Sequence, residues 1–182
     1  MKSRVLMMMV AVLAMGTMAA CTPTRTTKSA GEQIDDSTLT AKVKTALARD
    51  SATSVYRIDV ETFRGDVQLN GFVNSAEAKT EAGRIAKAVD GVKSVSNNLK
   101  VGEGERSAGT AVDDSVITAK VKTALTTDPT VAAHQVNVET RGGVVQLAGF
   151  VDTSDQKQKA SELTRRVAGV KQVDNQLEVK QR

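Results

Sequence analysis

Two pairs of adjacent carboxylates are the residues of this chain whose types could do acid–base chemistry or bind a metal ion. Asp35-Asp36 recurs as Asp113-Asp114, and each pair precedes apolar residues at helical spacing. Neighbouring aspartates could act as a general acid and base, or bind calcium through their oxygens. No further oxygen ligands follow at the spacing of an EF-hand loop. We therefore favour a simpler role, in which these carboxylates cap the first turn of a helix.

The other residue types that carry catalysis or metal binding are scarce. His134 is the only histidine and Cys21 is the only cysteine, so a histidine-dependent nucleophile or a metal site has almost no residues to use. The repeated glycines, such as Gly65 and Gly91, stand at the ends of predicted elements and match neither a P-loop nor a dinucleotide-binding fingerprint. We expect no catalytic residue, no metal and no cofactor, and therefore a protein that is not an enzyme.

The N-terminal segment has the pattern of an export signal. Two basic residues precede an apolar run that ends at Ala20, and this run is too short for a permanent membrane-spanning helix. The small residues before Cys21 resemble a lipobox, in which the cysteine becomes the lipidated N-terminus. We predict a signal peptide at residues 1–20, lipidation of Cys21, and a flexible polar tether over residues 21–33.

The chain behind this segment is a duplicated module. Residues 35–101 recur without a gap as residues 113–179, at a constant offset of 78 residues. Each position can therefore be read twice, and a residue that carries chemistry in one copy can be checked in the other. We predict two domains, at residues 34–101 and 113–182, joined by a linker at residues 102–112.

Each copy predicts the element order helix, strand, strand, helix, strand. Apolar residues of the first helix fall on one face, and two alternating strands follow around a tight turn at Arg64-Gly65 or Gly142-Gly143. Ser75 and Thr153 precede the second helix as N-caps. The predicted fold class is α+β, with two tandem αββαβ modules that each contain a small three-stranded sheet packed against two helices. Such modules are large enough for one small core.

Three motifs recur in register in both copies. Asp-Asp-Ser-x-x-Thr-Ala-Lys-Val-Lys-x-Ala-Leu opens each copy, Val-x-Leu-x-Gly-x-Val occupies Val67–Val73, and Val-x-Gly-Val-x-x-Val-x-Asn-x-Leu occupies Val89–Leu99. In this order the motifs resemble the BON domain. Two such domains behind a lipobox resemble the dual-BON outer-membrane lipoproteins, whose soluble relatives include osmotically inducible periplasmic proteins. The resemblance implies a non-enzymatic envelope protein associated with phospholipid surfaces. It also implies an outer-membrane location, with the lipid-anchored chain facing the periplasm.

Charge indicates where such a surface would lie. Without Lys2 and Arg4 the chain has 23 basic and 21 acidic residues, a net charge of +2, and no basic stripe with aromatics that would favour nucleic acid. The second helix of copy two is the more basic helix. Its tentative phospholipid-binding residues are Lys157, Lys159, Arg165 and Arg166. An ordinary solvated helix face remains an equal interpretation of this pattern.

Two other functions stay open at this point. In the first, the chain is a periplasmic adaptor or an osmotic-stress protective module that recruits envelope proteins through a strand edge or a helix face. In the second, it is a hydrolase that uses an aspartate pair. The leading hypothesis is a lipoprotein that binds anionic phospholipid and supports outer-membrane integrity or envelope stress resistance.

Overall fold

The computed structural model describes residues 30–54, 56–102 and 108–180. The predicted signal peptide and Cys21 lie outside the described residues. Module one, the first copy, contains α1 (Ala30–Arg49), β1 (Ile58–Phe63), β2 (Asp66–Val73), α2 (Ala76–Lys87), β3 (Ser94–Asn97) and β4 (Lys100–Val101). Module two contains α3 (Ala108–Thr127), a short 3-10 helix (Ala133–Gln135), β5 (Asn137–Arg141), β6 (Val144–Val151), α4 (Ser154–Arg165) and β7 (Gln172–Val179).

Both modules have the predicted α+β fold with the same strand topology. The first two strands form an antiparallel hairpin, and the last strand runs parallel to the second. In module two β7 pairs with β6 along its whole length, from Val144–Gln172 to Val151–Val179. In module one the last strand is interrupted, and its two pieces β3 and β4 both pair with β2. Each sheet therefore has three strand positions, as the sequence predicted.

The helices of each module cover one face of its sheet. The apolar face predicted for the first helix is buried in both copies, together with the inward-facing residues of the strands. The second helix lies close to the sheet because its buried positions are small, such as Ala78, Ala82 and Ala86 in α2. The core of module one contains Leu39, Val43, Leu47, Val60, Val67, Leu69, Val73 and Leu99. The equivalent core of module two contains Ile117, Val121, Leu125, Val138, Val145, Leu147, Val151 and Leu177.

The first helices begin earlier than the sequence predicted. α1 starts at Ala30 and α3 at Ala108, so the ends of the predicted tether at residues 21–33 and linker at residues 102–112 are helical. Each residue added to a helix end gains one backbone hydrogen bond and does not need to bury its side chain. The hydrophobic pattern of the sequence therefore did not reveal these first turns. Gly91, which the sequence places at the end of the second helix, has φ of 100° and lies in a turn just beyond the C-cap of α2 at Ala88.

This earlier start gives the carboxylate pairs a different role from the predicted helix cap. Asp36 is buried inside α1, and its oxygens accept hydrogen bonds from the backbone N–H groups of Arg64 and Gly65 at 2.8 and 3.0 Å. Asp114 binds the N–H groups of the equivalent turn at 2.8 and 2.9 Å. These turn residues have positive φ, as predicted for a tight hairpin. One carboxylate in each module therefore holds the hairpin turn against the first helix.

The two modules pack together through the sheet faces opposite to their helices. Side chains alternate along a strand, so Gln68 points away from the helices that cover Leu69. Gln68 and its equivalent Gln146 are both fully buried between the sheets. The Gln68 Oε1 atom accepts a hydrogen bond from the N–H of Gly149 at 3.0 Å, and Gln146 Oε1 accepts one from Gly71 at 2.7 Å. The sequence left the packing of the modules open, and these bonds settle it.

Candidate functional site: the outer helical face of module two

The helix α4 is fixed at its N-terminus by a complete capping box. The Thr153 hydroxyl accepts a hydrogen bond from the N–H of Gln156, and the Gln156 side chain accepts one from the N–H of Thr153. These reciprocal bonds satisfy N–H groups that a helix end would otherwise leave unpaired. The middle of the helix is attached to the sheet, because the Asn175 side chain donates to the carbonyl of Lys157 at 2.9 Å. The basic side chains of α4 therefore project from a well-held helix.

The structure brings three of the four predicted phospholipid-binding residues to the outer face of module two. Lys159 and Arg166 both form ion pairs with Glu162, and Lys159 also lies 3.7 Å from Asp128. The Thr130 N–H lowers the pKa of Asp128 by hydrogen bonding, so this carboxylate is charged and offsets part of the lysine charge. Arg165, which precedes Arg166 at the end of α4, is exposed. The arginines at the end of α4 are the most accessible charges of the group.

Lys157, the fourth predicted residue, lies elsewhere. It is half-buried and lines a groove of about 420 Å³ between the two modules, next to Phe63 and Phe150. A rotation of about 100° per helical residue separates Lys157 from Lys159 by more than half a turn. The spacing of these two lysines thus places them on different sides of α4. Lys157 cannot share one flat surface with Arg166.

The outer face of module two also exposes two valines that the sequence reasoning missed. Val112 is 62% exposed and Val116 is 45% exposed, both on the side of α3 that faces away from the core. Their spacing of four residues puts them one turn apart on the same stripe, with Lys120 one further turn along. The signal in the sequence was this second apolar pair outside the buried face. Exposed aliphatic side chains beside basic ones are typical of a surface that contacts an apolar or amphiphilic partner.

Module one lacks this combination of side chains at the equivalent positions. Thr38 stands where Val116 stands in module two, and Ala88 stands at the position of Arg166. The equivalent of Lys159 is Glu81, which forms an ion pair with Arg84. We therefore define the outer helical face as the exposed side of α3 and α4: Val112, Val116, Lys120, Lys159, Arg165 and Arg166. Ile34, Lys42 and Lys87 of module one correspond to Val112, Lys120 and Arg165, so the two modules differ on this face at Val116, Lys159 and Arg166.

Comparison with known protein families identifies both modules. The family model of the BON domain matches residues 35–103 and, separately, residues 113–181. This chain belongs to the BON domain family. The two matches coincide with the duplicated units, so each unit is one BON module. The resemblance inferred from the three repeated motifs is thereby confirmed.

Curated relatives match most of the chain, including both BON modules. The chain is 41% identical over 151 residues to the osmotically-inducible protein Y of Escherichia coli K12, covering 82% of this chain and 75% of that protein. It is 36% identical over 166 residues to the outer membrane lipoprotein DolP of Haemophilus influenzae, covering 90% and 83%. It is also 33% identical over 147 residues to a 21 kDa hemolysin of Actinobacillus pleuropneumoniae, covering 80% and 75%.

The remaining candidate residues do not assemble into a reactive site within the described ranges. His134 is exposed in the short 3-10 helix before β5. Asp152, whose charge interacts with His134, directly follows β6. Burial raises the pKa of the Asp152 carboxyl, but hydrogen bonds from Lys180 and Gln135 outweigh this effect, so the pKa is lowered. Among the described residues, no group of three histidine, cysteine, aspartate or glutamate side chains is placed to hold a metal ion. No helix in residues 30–54, 56–102 and 108–180 is long and apolar enough to cross a membrane.

Proposed function

We propose that this protein is a non-enzymatic lipoprotein of the bacterial cell envelope whose BON pair binds anionic phospholipid head groups through the outer helical face of module two. In this proposal the lipidated Cys21 anchors the chain in the outer membrane, facing the periplasm, and the protein supports membrane integrity or resistance to envelope stress. The relatives support an envelope role, because one is named as an outer membrane lipoprotein and another as osmotically inducible.

The observation that carries the proposal is that the neighbouring helices α3 and α4 expose two valines and a group of basic side chains on the side away from the core. A basic side chain near an anionic bilayer contributes about 1 kcal/mol of binding free energy. Arg165 and Arg166 would thus contribute about 2 kcal/mol, or roughly a thirtyfold increase in affinity. Val112 and Val116 can lose apolar surface to the head-group region, which adds a smaller favourable contribution. A single acyl chain binds only marginally, so such a face would stabilise the membrane contact of the anchored protein.

The test is sedimentation of lipid vesicles with the chain from Thr22 onward, which keeps every described residue and lacks the acyl group. Binding to vesicles with anionic lipid should exceed binding to neutral vesicles, and salt should weaken it. The double variant R165E/R166E should lose at least tenfold in affinity for anionic vesicles, an order of magnitude set by two charge reversals.

A matched control reverses the same number of charges on the helices of module one. The double variant K42E/K87E changes the net charge equally, at exposed positions outside the outer helical face. It should retain most of the binding. Equal losses in both variants would mean that only overall charge matters, and unchanged binding of R165E/R166E would remove the arginines from the site.

A protein-binding adaptor is the second candidate function. The observation that favours it is the open edge of β7. This strand pairs with β6 on one side, and no other strand of the described residues pairs with its second edge. An extended segment of another protein could add to this edge. Co-purification of one stoichiometric protein partner, together with equal binding to neutral and anionic vesicles, would favour this function over the first.

A further inference from the structure

The interface between the two sheets follows an internal two-fold relation. The side-chain amide of Gln68 donates to the carbonyl of Gln176 at 3.4 Å, and that of Gln146 donates to the carbonyl of Asn98 at 2.8 Å. Both the donors and the acceptors are equivalent pairs at the offset of 78 residues. The glutamine–glycine bonds across the interface obey the same relation. Each module thus presents the same surface to the other, as the subunits of a two-fold dimer do.

The relation holds even where the residue types differ. Phe63 of module one stacks on Phe150 of module two, with ring centroids 5.5 Å apart. The equivalent positions carry Arg141 and Phe72, and the Arg141 guanidinium lies 5.9 Å from the centroid of the Phe72 ring. An aromatic pair at one end of the interface therefore corresponds to a cation–π pair at the other end. This symmetry predicts which residues would meet if module one packed on a second module one, or module two on a second module two.

One salt bridge in the interface needs one module of each kind. The Lys100 Nζ atom lies 3.1 Å from Asp174 Oδ2. The equivalents of these two residues are Glu178 and Ser96. If module one packed on another module one, Lys100 would face Ser96 at both ends. If module two packed on another module two, Glu178 would face Asp174 at both ends, and the like charges would repel.

A second position discriminates against the pairing of two modules one. Asp59 of module one and Glu139 of module two line the same cavity between the modules. Burial raises the pKa of Glu139, the negative charge of Asp59 raises it further, and Arg57 and Lys122 act in the opposite direction. The mixed pair contains this contact between acids once, because Asn137 occupies the equivalent position of Asp59. Two copies of module one would place Asp59 against Glu61 twice.

The charges therefore favour mixed pairing. At these two positions the mixed interface has one contact between acids and one salt bridge, whereas either like pairing would have two contacts between acids and no salt bridge. We propose that the sheet faces are a recognition surface with a charge code, which makes module one and module two bind each other and reject their own kind. The partner that this surface fits is the other module, which belongs to the same chain in the closed monomer and to a second copy of this chain in an exchanged dimer.

Within one chain the code favours the closed monomer. A short connection between two binding modules gives an effective concentration of about 1 mM, which exceeds the concentration of a second chain in dilute solution. An exchanged dimer contains the same two interfaces as two closed monomers, so it gains no contacts. The exchanged dimer is therefore expected only when like charges face each other in the closed chain and opposite charges face each other between two chains.

Two single variants create this situation. K100D and D174K, each made in the chain from Thr22 onward, place like charges opposite one another in the closed monomer and in a dimer of identical chains. An exchanged dimer of the two variants restores opposite charges in both interfaces: the two substituted positions meet in one, and the native Lys100 and Asp174 meet in the other. The double variant K100D/D174K restores the pair within a single chain and is the control for folding.

Sedimentation velocity or native mass spectrometry at low salt gives the result. A 1:1 mixture of the two variants should form a dimer whose dissociation constant is about a hundredfold lower than that of either variant alone, about tenfold for each restored pair. High salt should abolish this difference, and the double variant should be monomeric. A mixture as monomeric as its components, or a single variant that dimerises as strongly as the mixture, would overturn the proposed charge code.

Discussion

Asp36 in module one and Asp114 in module two make the same pair of hydrogen bonds, whereas the helices that contain them differ on their outer sides. The hairpin bonds agree to within 0.1 Å between the copies. On the outer side, Thr38 of α1 corresponds to the exposed Val116 of α3. Positions that agree between the copies hold the fold, and positions that differ give each module its own surface. Substitutions at equivalent positions of the two modules test this distinction.

The largest effect is expected at the glycines of the second strand. Gly71 has φ of 116°, and a Cβ atom there would lie 2.6 Å from the carbonyl oxygen of Arg57. Gly149 has φ of 122°, and its Cβ would lie closer still to the carbonyl oxygen of Gln135. Gly71→Ala and Gly149→Ala should each lower the free energy of unfolding by more than about 3 kcal/mol, with Gly149→Ala the worse. Urea unfolding measures this difference.

Gly109 is the control for those two substitutions. It lies in α3, and a Cβ atom there would meet nothing within 4 Å. Gly109→Ala should therefore stabilise the helix by about 0.5–1 kcal/mol. A loss at Gly149→Ala no larger than the change at Gly109→Ala would contradict the close approach of the two backbones.

The second effect concerns the carboxylates that hold the hairpins. Asp36→Ala and Asp114→Ala each leave two N–H groups of a turn without their acceptor, which should cost about 2 kcal/mol or more in unfolding free energy. The two copies should lose similar amounts, because their bonds have the same lengths. Asp113→Ala removes the exposed neighbour of Asp114 and should change stability by less than about 0.5 kcal/mol. Thermal unfolding that ranks Asp113→Ala with Asp114→Ala would favour helix capping over the hairpin bonds.

The third effect tests the packing of the modules. Gln146→Ala should weaken docking more than Gln68→Ala, because the bonds of Gln146 are 2.7 and 2.8 Å long and those of Gln68 are 3.0 and 3.4 Å long. The expected cost is about 1–2 kcal/mol per variant. Amide hydrogen exchange should accelerate at Gly71 in the first variant and at Gly149 in the second. Exchange rates unchanged from those of a Gln172→Ala control would show that these glutamines do not join the modules.

The smallest effect is a pH dependence that arises from Glu139 at the contact between the modules. Burial and the charge of Asp59 raise the pKa of Glu139 above its ordinary value of 4.5. An acid whose pKa is raised in the folded state makes its most favourable contribution to the free energy of unfolding at low pH. This contribution is lost as pH rises through the raised pKa. From about pH 4 to about pH 7 the melting temperature of the native chain should therefore fall relative to that of Glu139→Gln. Parallel profiles for the two proteins would contradict the proximity of the two acids.

The sequence predicted the fold well because the same periodicities occur twice. The apolar faces of the first helices, the turns at Arg64-Gly65 and Gly142-Gly143, and the capping box at Thr153 are local patterns with local causes, and the structure contains all of them. The helix starts were missed because a solvated first turn carries no apolar period. The role of Asp36 was missed because its partners lie 28 and 29 residues away in the sequence.

The candidate surface was only partly predictable. Composition identified α4 as the basic helix, but charge counts do not show which side chains share a face, so Lys157 was grouped with Arg166. Alternation along β2 showed that Gln68 lies opposite to Leu69, yet nothing local reveals that a second sheet covers that glutamine. Val116 was overlooked because the buried face of the same helix accounted for the apolar period. These features depend on tertiary packing.

The most direct test of the account is hydrogen–deuterium exchange of the chain from Thr22 onward, with and without anionic vesicles. Exchange resolves the two modules in one experiment, so module one is the internal control for module two. The account predicts that vesicles protect α3 and the end of α4, while α1, α2 and the paired sheet faces keep their exchange rates. Protection of both modules alike, or of the β7 edge alone, would contradict a membrane contact through the outer helical face of module two.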